Sequence, residues 1–253
     1  MLTSYYNAVY LETSQGNKAM TTTYKQSIGD VMKLLTQSSA KLDKSQNDSY
    51  LNAIMYLDPN YNKEVCKGAS KGCKASCLIN SGRMLMPSAK NARMERTRKY
   101  FEQRSLFMMQ LQGEIAEQFA KAERQGKKLA IRLNGTSDID WTDIYKAFPM
   151  VQFYEYTKRV DLVKKLNSLD NVHVTFSKHE KHTPKQIKKV MDSGNNIAVV
   201  FIDTPPSEYL GYEVVNGDKH DRRFEDKKGK IIGLKLKGTN AVKQLAINTG
   251  FAV

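Results

Sequence analysis

Cysteine is scarce in this 253-residue chain. There are three, and all stand in one stretch, Cys66-Lys-Gly-Ala-Ser-Lys-Gly-Cys73-Lys-Ala-Ser-Cys77. An odd, tightly grouped set argues against a disulfide framework, because any pairing leaves an orphan thiol. No apolar run approaches membrane-spanning length, and no charged start followed by an apolar core opens the chain. We therefore expect no membrane partner and a reducing, cytoplasmic location, which suits thiolates reserved for metal. Neither a Gly-x-Gly-x-x-Gly nor a Walker motif is present, so an open nucleotide-binding sheet has little support. Internal repeats and low-complexity tracts are also lacking. Acidic residues are few: 26 Asp and Glu face 40 Lys and Arg, a net charge of +14. That imbalance predicts attraction to polyanions, nucleic acid or a nucleotide first, although a basic surface also serves solubility.

The cysteines are the most specific feature present. Three thiolates fill three corners of an iron–sulfur cluster or three positions on a tetrahedral zinc. One position is left for a substrate, a cofactor or a ligand from elsewhere. The competing reading is a surface loop with incidental thiols.

Around this loop the pattern is α/β. Residues 1–48 are polar and read as an N-terminal extension, with Tyr5–Leu11 as a short strand or helical turn and a helix over Ser27–Leu35. Residues 49–253 read as one domain. Compact apolar runs at Tyr50–Leu57, Leu129–Leu133, Val151–Tyr156, Val172–Phe176, Ile197–Ile202 and Ile231–Leu236 are expected strands. Helices are expected from Pro87 to near Gly126, over Val160–Leu166 and over Pro184–Met191. Alternation of strand and helix argues for a parallel sheet, and five or six units suggest a complete or partial (β/α)6 TIM-like barrel. In such folds function gathers at the C-terminal ends of the strands. Those ends here carry the cysteines, then Asn134, Gly135, Thr136, Ser137 and Asp138, then Thr157, Lys158 and Arg159, then Ser177, Lys178 and His179, and finally Asp203. One shared site is the expectation.

Three further groups compete for roles. Arg93, Arg96, Lys99 and Arg104 fall on the basic side of the long helix, opposite an apolar stripe of Met94, Phe101, Met108, Leu111, Ile115, Phe119 and Ala122. They are candidates for a nucleic-acid backbone or merely a solvated face. His179 and His182 could complete a Cys3His zinc site or be loop residues. Asp218, His220, Asp221 and Asp226, interleaved with Arg222 and Arg223, could hold a hard cation or form a salt-bridged turn.

The layout of a three-cysteine loop after the first strand and a glycine-containing segment after the second resembles the radical S-adenosylmethionine superfamily. Its usual cysteine spacing is three and then two residues, against six and three here. That resemblance implies a 4Fe-4S cluster on Cys66, Cys73 and Cys77 and S-adenosylmethionine as cofactor. Asn134, Gly135 and Thr136 would meet the methionine amino group, with Asp138, Thr157, Lys158 and Ser177 as further cofactor contacts. A longer resemblance, from about Leu34 to the C-terminus, is to the phage gene product 88-like proteins. It is carried by the cysteine segment with Leu78 and Ser81-Gly-Arg83, by Arg132-Leu-Asn-Gly-Thr-Ser-Asp138, by Phe153-Tyr-Glu-Tyr-Thr-Lys158, and by Asn216-Gly-Asp-Lys-His-Asp-Arg-Arg-Phe224. It implies a phage origin, and hence the host cytoplasm, without fixing a reaction. The expectation is a radical S-adenosylmethionine-type enzyme acting on a nucleic acid or nucleotide. The alternative is a non-catalytic, zinc- or cluster-stabilised nucleic-acid-binding protein.

Overall fold

The computed structural model describes residues 32–37 and 49–253. The architecture below belongs to the compact unit Leu34–Val253. The strand or turn expected at Tyr5–Leu11 and most of the helix expected at Ser27–Leu35 lie outside the described residues. Leu35 itself is in a strand.

The strands are β1 (Leu35–Thr36), β2 (Tyr50–Met55), β3 (Lys128–Arg132), β4 (Gln152–Thr157), β5 (Val172–Ser177), β6 (Asn196–Phe201), β7 (Glu208–Tyr209), β8 (Tyr212–Asn216) and β9 (Ile231–Lys235). The helices are α1 (Lys71–Ala75), α2 (Pro87–Glu102), α3 (Arg104–Arg124), α4 (Thr142–Ala147), α5 (Val160–Leu166), α6 (Pro184–Asp192) and α7 (Asn240–Asn248). One nine-stranded sheet runs in the order β1-β2-β3-β4-β5-β6-β9-β8-β7. The strands from β2 to β8 in that order pair in parallel, while β1 and β7 pair antiparallel at its ends. The class is thus mixed α/β, as the alternating pattern predicts. The sheet also takes in Leu35 and Thr36, upstream of the extension boundary expected at 48.

Side chains alternate across a strand, and the two faces of this sheet differ. Leu51, Ala53, Met55, Ile131, Phe153, Val174, Phe176, Ile197, Val199 and Ile231 join the main apolar core. Phe107, Leu111 and Ile115 of α3, Leu162 and Leu166 of α5, and Ile187 and Val190 of α6 belong to the same core. The opposite face carries Arg132, Tyr154, Tyr156, His173, Thr175 and Asn196. A 3-10 turn, Arg223–Glu225, covers it, with Phe224 packed on Tyr50 and Tyr154 at centroid distances of 5.1 and 5.6 Å. In this cover Arg132 meets Asp221 at 3.3 Å, Arg223 meets Asp226 at 3.2 Å, and His220 lies 3.6 Å from Asp226. The Asp218–Asp226 cluster is therefore a salt-bridged turn, with Asp218 paired to Lys237.

The single helix expected from Pro87 to Gly126 is two. It breaks at Gln103, where φ is −131° and ψ is 48°. The reason lies in what each half must bury. In α3 the inward residues include Phe107, Leu111, Ile115 and Ala122. In α2 they are Arg93 and Thr97, which engage Asp58: Thr97 Oγ1 accepts from the Asp58 N–H at 2.8 Å, and Arg93 lies 3.7 Å from its carboxylate. Met94, expected in the apolar stripe, is 43% exposed. The β7–β8 hairpin is also absent from the expectation. Its two-residue turn places Leu210 at φ 54° and Gly211 at φ 79°, the geometry of a primed turn. Among the described residues no helix is long and apolar enough to cross a membrane.

Candidate active site: a three-thiol cavity

The cysteine loop leaves β2 and is fastened onto the C-terminal ends of β3, β4 and β5. The Asp138 N–H donates to the Val65 carbonyl at 2.8 Å, and the Cys66 thiol approaches the Thr136 carbonyl at 3.5 Å. Glu180, just beyond β5, accepts from Ser70 Oγ at 2.6 Å and from the Gly72 N–H at 3.0 Å. Ser70 in turn caps α1 by accepting from the Cys73 N–H at 3.1 Å, so one carboxylate fixes the turn carrying the second cysteine. Glycine is required at both contact points. A Cβ on Gly68 would stand 2.7 Å from Asp138 Oδ2, and one on Gly72 would stand 2.6 Å from Thr249 Oγ1. Cys73 packs on the small cluster of Leu236, Ala246, Phe251 and Ala252, which brings the C-terminal residues to the site.

The loop after β3 is organised from within. Asn134 Oδ1 accepts from Ser137 Oγ at 2.8 Å, the Ile139 N–H at 3.0 Å and Trp141 Nε1 at 3.2 Å, and its Nδ2 donates to the Ile139 carbonyl at 2.9 Å. The Gly135 N–H donates to the Met55 carbonyl at 3.0 Å, an approach that leaves no room for a side chain. Thr136 Oγ1 donates to the Leu57 carbonyl at 2.5 Å. Asp138 accepts from Thr157 Oγ1 at 2.7 Å and from the Lys158 N–H at 3.1 Å. Beneath them Glu155 accepts from the Leu133 and Asn134 N–H groups at 2.8 and 3.0 Å and from Tyr145 at 2.9 Å. Burial pushes its carboxyl up to about 7 against these donors. Asn134, Thr136, Asp138 and Thr157 thus spend their polar side-chain atoms on holding the loop.

What the loops enclose is a cavity of about 220 Å³. Cys66, Cys73 and Cys77 line it, together with Asn134–Asp138, Tyr156, Lys158 and Ser177, so six of the seven expected cofactor contacts come together there and Thr157 stands behind them on Asp138. Lys158 Nζ donates to Ser177 Oγ at 2.8 Å. Its backbone is held by Asp138 on the N–H and by His182 on the carbonyl, the latter at 3.0 Å. Burial pushes the Cys66 thiol up to about 12. The nearby Cys77 and Cys73 add to the rise, and Lys158 opposes it. Burial likewise raises Cys77. Cys66 and Cys77 therefore both feel a neighbouring thiol and one ammonium. All three are free thiols. Among the described residues no three His, Cys, Asp or Glu side chains form a group that could hold a metal ion as they stand. Three cysteines line the one cavity, and sulfur is the donor type that soft metals prefer.

The other expected candidates lie elsewhere. His179 and His182 stack at 3.5 Å, with His182 Nδ1 accepting from the His179 N–H, its Nε2 on the Lys158 carbonyl, and His179 Nδ1 accepting from the Lys181 N–H. These contacts serve the loop and give the histidines a clamping role. Arg93 is buried at 3% exposure and donates to the Met84 carbonyl at 3.0 Å, so it is not on a solvent face. Arg96 and Lys99 are half-buried, while Arg104 is exposed with its guanidinium over Tyr100 at 4.1 Å. The four do not form one basic strip. Lining residues that sequence reasoning missed are Arg132, Tyr156 and, at the end of β9, Leu234, Lys235, Leu236 and Lys237. Applying the end-of-strand rule to Ile231–Leu236 would have found Lys237.

No curated protein and no solved structure matches the chain. A family model described as Gene product 88 matches residues 33–253, almost the whole of the described region. The match covers well over half of the sequence, and the chain belongs to the phage gene product 88 family.

Proposed function

We propose that Cys66, Cys73 and Cys77 hold a 4Fe-4S cluster and that the protein is a radical S-adenosylmethionine-type enzyme acting on a nucleotide or nucleic acid. The observation that carries this reading is the opening of all three thiols into one cavity at the C-terminal rim of a parallel sheet, beside the Lys158–Ser177 pair. Six neighbouring parallel strands, β2, β3, β4, β5, β6 and β9, support reading the sheet as a partial (β/α)6 barrel with its working end at that rim. Cys66, Cys73 and Cys77 would hold the cluster, which, once reduced by an external donor, would supply the one electron that radical S-adenosylmethionine chemistry needs. The chain's own residues do the positioning. Glu180 and His179 keep the cysteine loop seated. Lys158 and Ser177 offer a cation and a hydroxyl to a carboxylate. The Asn134–Asp138 loop walls the cavity from solvent.

The test is anaerobic. Reconstituted protein with dithionite and S-adenosylmethionine should release 5′-deoxyadenosine, and Cys73→Ser should abolish the release. Stoichiometric zinc without iron, and no cleavage, would instead support the non-catalytic alternative.

A further inference from the structure

A second hollow, of about 420 Å³, lies beside the cysteine loop and is separate from the three-thiol cavity. Its apolar lining is Tyr61, Ile79, Met84, Leu85 and Met94, with Lys90 among its polar residues and the Asp58–Arg93 pair also facing it. The two hollows share one wall. Cys77 leads directly into the 3-10 turn Leu78–Asn80. Leu78 and Ser81 line the three-thiol cavity, while Ile79 and Asn80 line the second hollow. The Asn80 N–H donates to the Cys77 carbonyl at 2.9 Å, so one hydrogen bond joins the surface of this hollow to the backbone of a cysteine.

The hollow is apolar at its centre and cationic around it. Leu85 and Met94 are 55% and 43% exposed, and Met86, next in sequence to Leu85, is 54% exposed. Large apolar side chains left open around a concavity mark an interaction surface. Residues 58–102 hold ten Lys and Arg against four Asp and Glu. All four acids are engaged: Asp58 with Arg93, Glu64 with Lys74, and Glu95 and Glu102 with Arg98. Among the described residues, Lys90 has no carboxylate within ion-pair distance.

On the cluster reading above, we infer that this hollow is the docking site of the electron donor, a small acidic protein that carries one electron at a time. Its apolar contact surface rests on Leu85 and Met94, its acidic rim meets Lys90, and its redox group faces the Leu78–Asn80 turn. One electron then passes across that turn. The carrier is oxidised, the centre held by the three cysteines is reduced, and no bond is made or broken. A small apolar patch with a charged rim suits a brief redox encounter, which needs little buried area and gains its rate from opposite charge. A nucleic-acid backbone would need cations along the floor, where Ile79, Met84, Leu85 and Met94 stand instead.

A bacterial flavodoxin, small and acidic, is the probe, with dithionite as a reductant that needs no docking. Titration calorimetry with oxidised flavodoxin on cluster-free and on reconstituted protein reads docking apart from activity. Binding should appear with both and weaken as salt is raised. The Leu85→Asn/Met94→Asn variant should lower affinity about ten-fold with an unchanged melting curve, because both side chains are exposed. Lys90→Glu should weaken binding and flatten its salt dependence. In stopped flow, the same variants should slow reduction of the reconstituted protein by flavodoxin and leave reduction by dithionite at the wild-type rate. No flavodoxin binding, binding untouched by these substitutions, or equal slowing with both reductants overturns the inference. Oligonucleotide binding that displaces flavodoxin and is lost in Leu85→Asn/Met94→Asn also overturns it, giving the groove to nucleic acid. Protein with no centre for dithionite to reduce is the failure of the cluster reading itself, and it removes the donor's role as well. A centre that dithionite reduces in protein that flavodoxin does not bind overturns the docking site alone.

Discussion

At the scale of single residues, the site separates side chains that build it from side chains that face what enters it. Asn134 is a builder. Its four hydrogen bonds close the loop from Ser137 to Trp141, and it is buried at 3% exposure. Asn134→Ala leaves the Ile139 N–H and Trp141 Nε1 without their acceptor, so it should destabilise the fold by about 2–4 kcal/mol. A denaturant titration checks this, and an unchanged midpoint would show that the loop holds without it. The sequence marks Asn134 as important but not in what capacity. A polar residue after a strand looks the same whether it binds a ligand or its own loop, because the partner is chosen by a backbone path that spacing does not encode. The same limit applies to Arg93. Its place in a basic run suggests a solvated face, whereas Asp58, 35 positions earlier in the sequence, draws it inward.

Among the elements, the cysteine loop depends on a long-range clamp. Glu180 reaches back to Ser70 and Gly72, and Gly68 and Gly72 allow contact distances that any side chain would block. Glu180→Ala should free this turn locally. Hydrogen exchange in residues 66–77 should accelerate at least ten-fold while exchange in β3 to β6 stays as in the wild type; uniform change across the protein would contradict a local clamp. Strand runs were the most legible elements, since Ile-Ala-Val-Val-Phe and its counterparts are buried on at least one face and bounded by turns. The short helix α1 and the helix α4 were not, because six or so residues carry too little periodicity. The break at Gln103 was hidden because both halves are helical by composition, and only the demand to bury Arg93 on one side and Phe107 on the other separates them.

For the whole molecule, buried ionisable groups set the response to pH. Burial pushes His173 and His182 down to about 4, from an ordinary value of 6.5. A histidine with a depressed folded-state value contributes stability that is present above about 6.5 and lost as pH falls towards 4. Glu155 acts oppositely: raised to about 7 from 4.5, it favours the fold below 4.5 and loses that contribution as pH rises through 7. Melting temperature should fall between pH 6.5 and 4, and Glu155→Gln should make the fall steeper. A melting temperature that is flat or rises on acidification would contradict the histidine assignment. The net charge of +14 is not presented as one basic face of α2, where Arg93 is buried and Arg98 is paired with Glu95 and Glu102.

The central claim is that three thiols at the rim of the sheet hold an iron–sulfur cluster, and the most direct measurement is iron analysis with electron paramagnetic resonance on anaerobically reconstituted protein. Three cysteines with one open iron predict about four irons per chain and a reduced-cluster signal that changes when S-adenosylmethionine is added. Serine at any of positions 66, 73 or 77 should remove that signal. One zinc per chain, held by the same cysteines and not displaced by iron under anaerobic conditions, would contradict it.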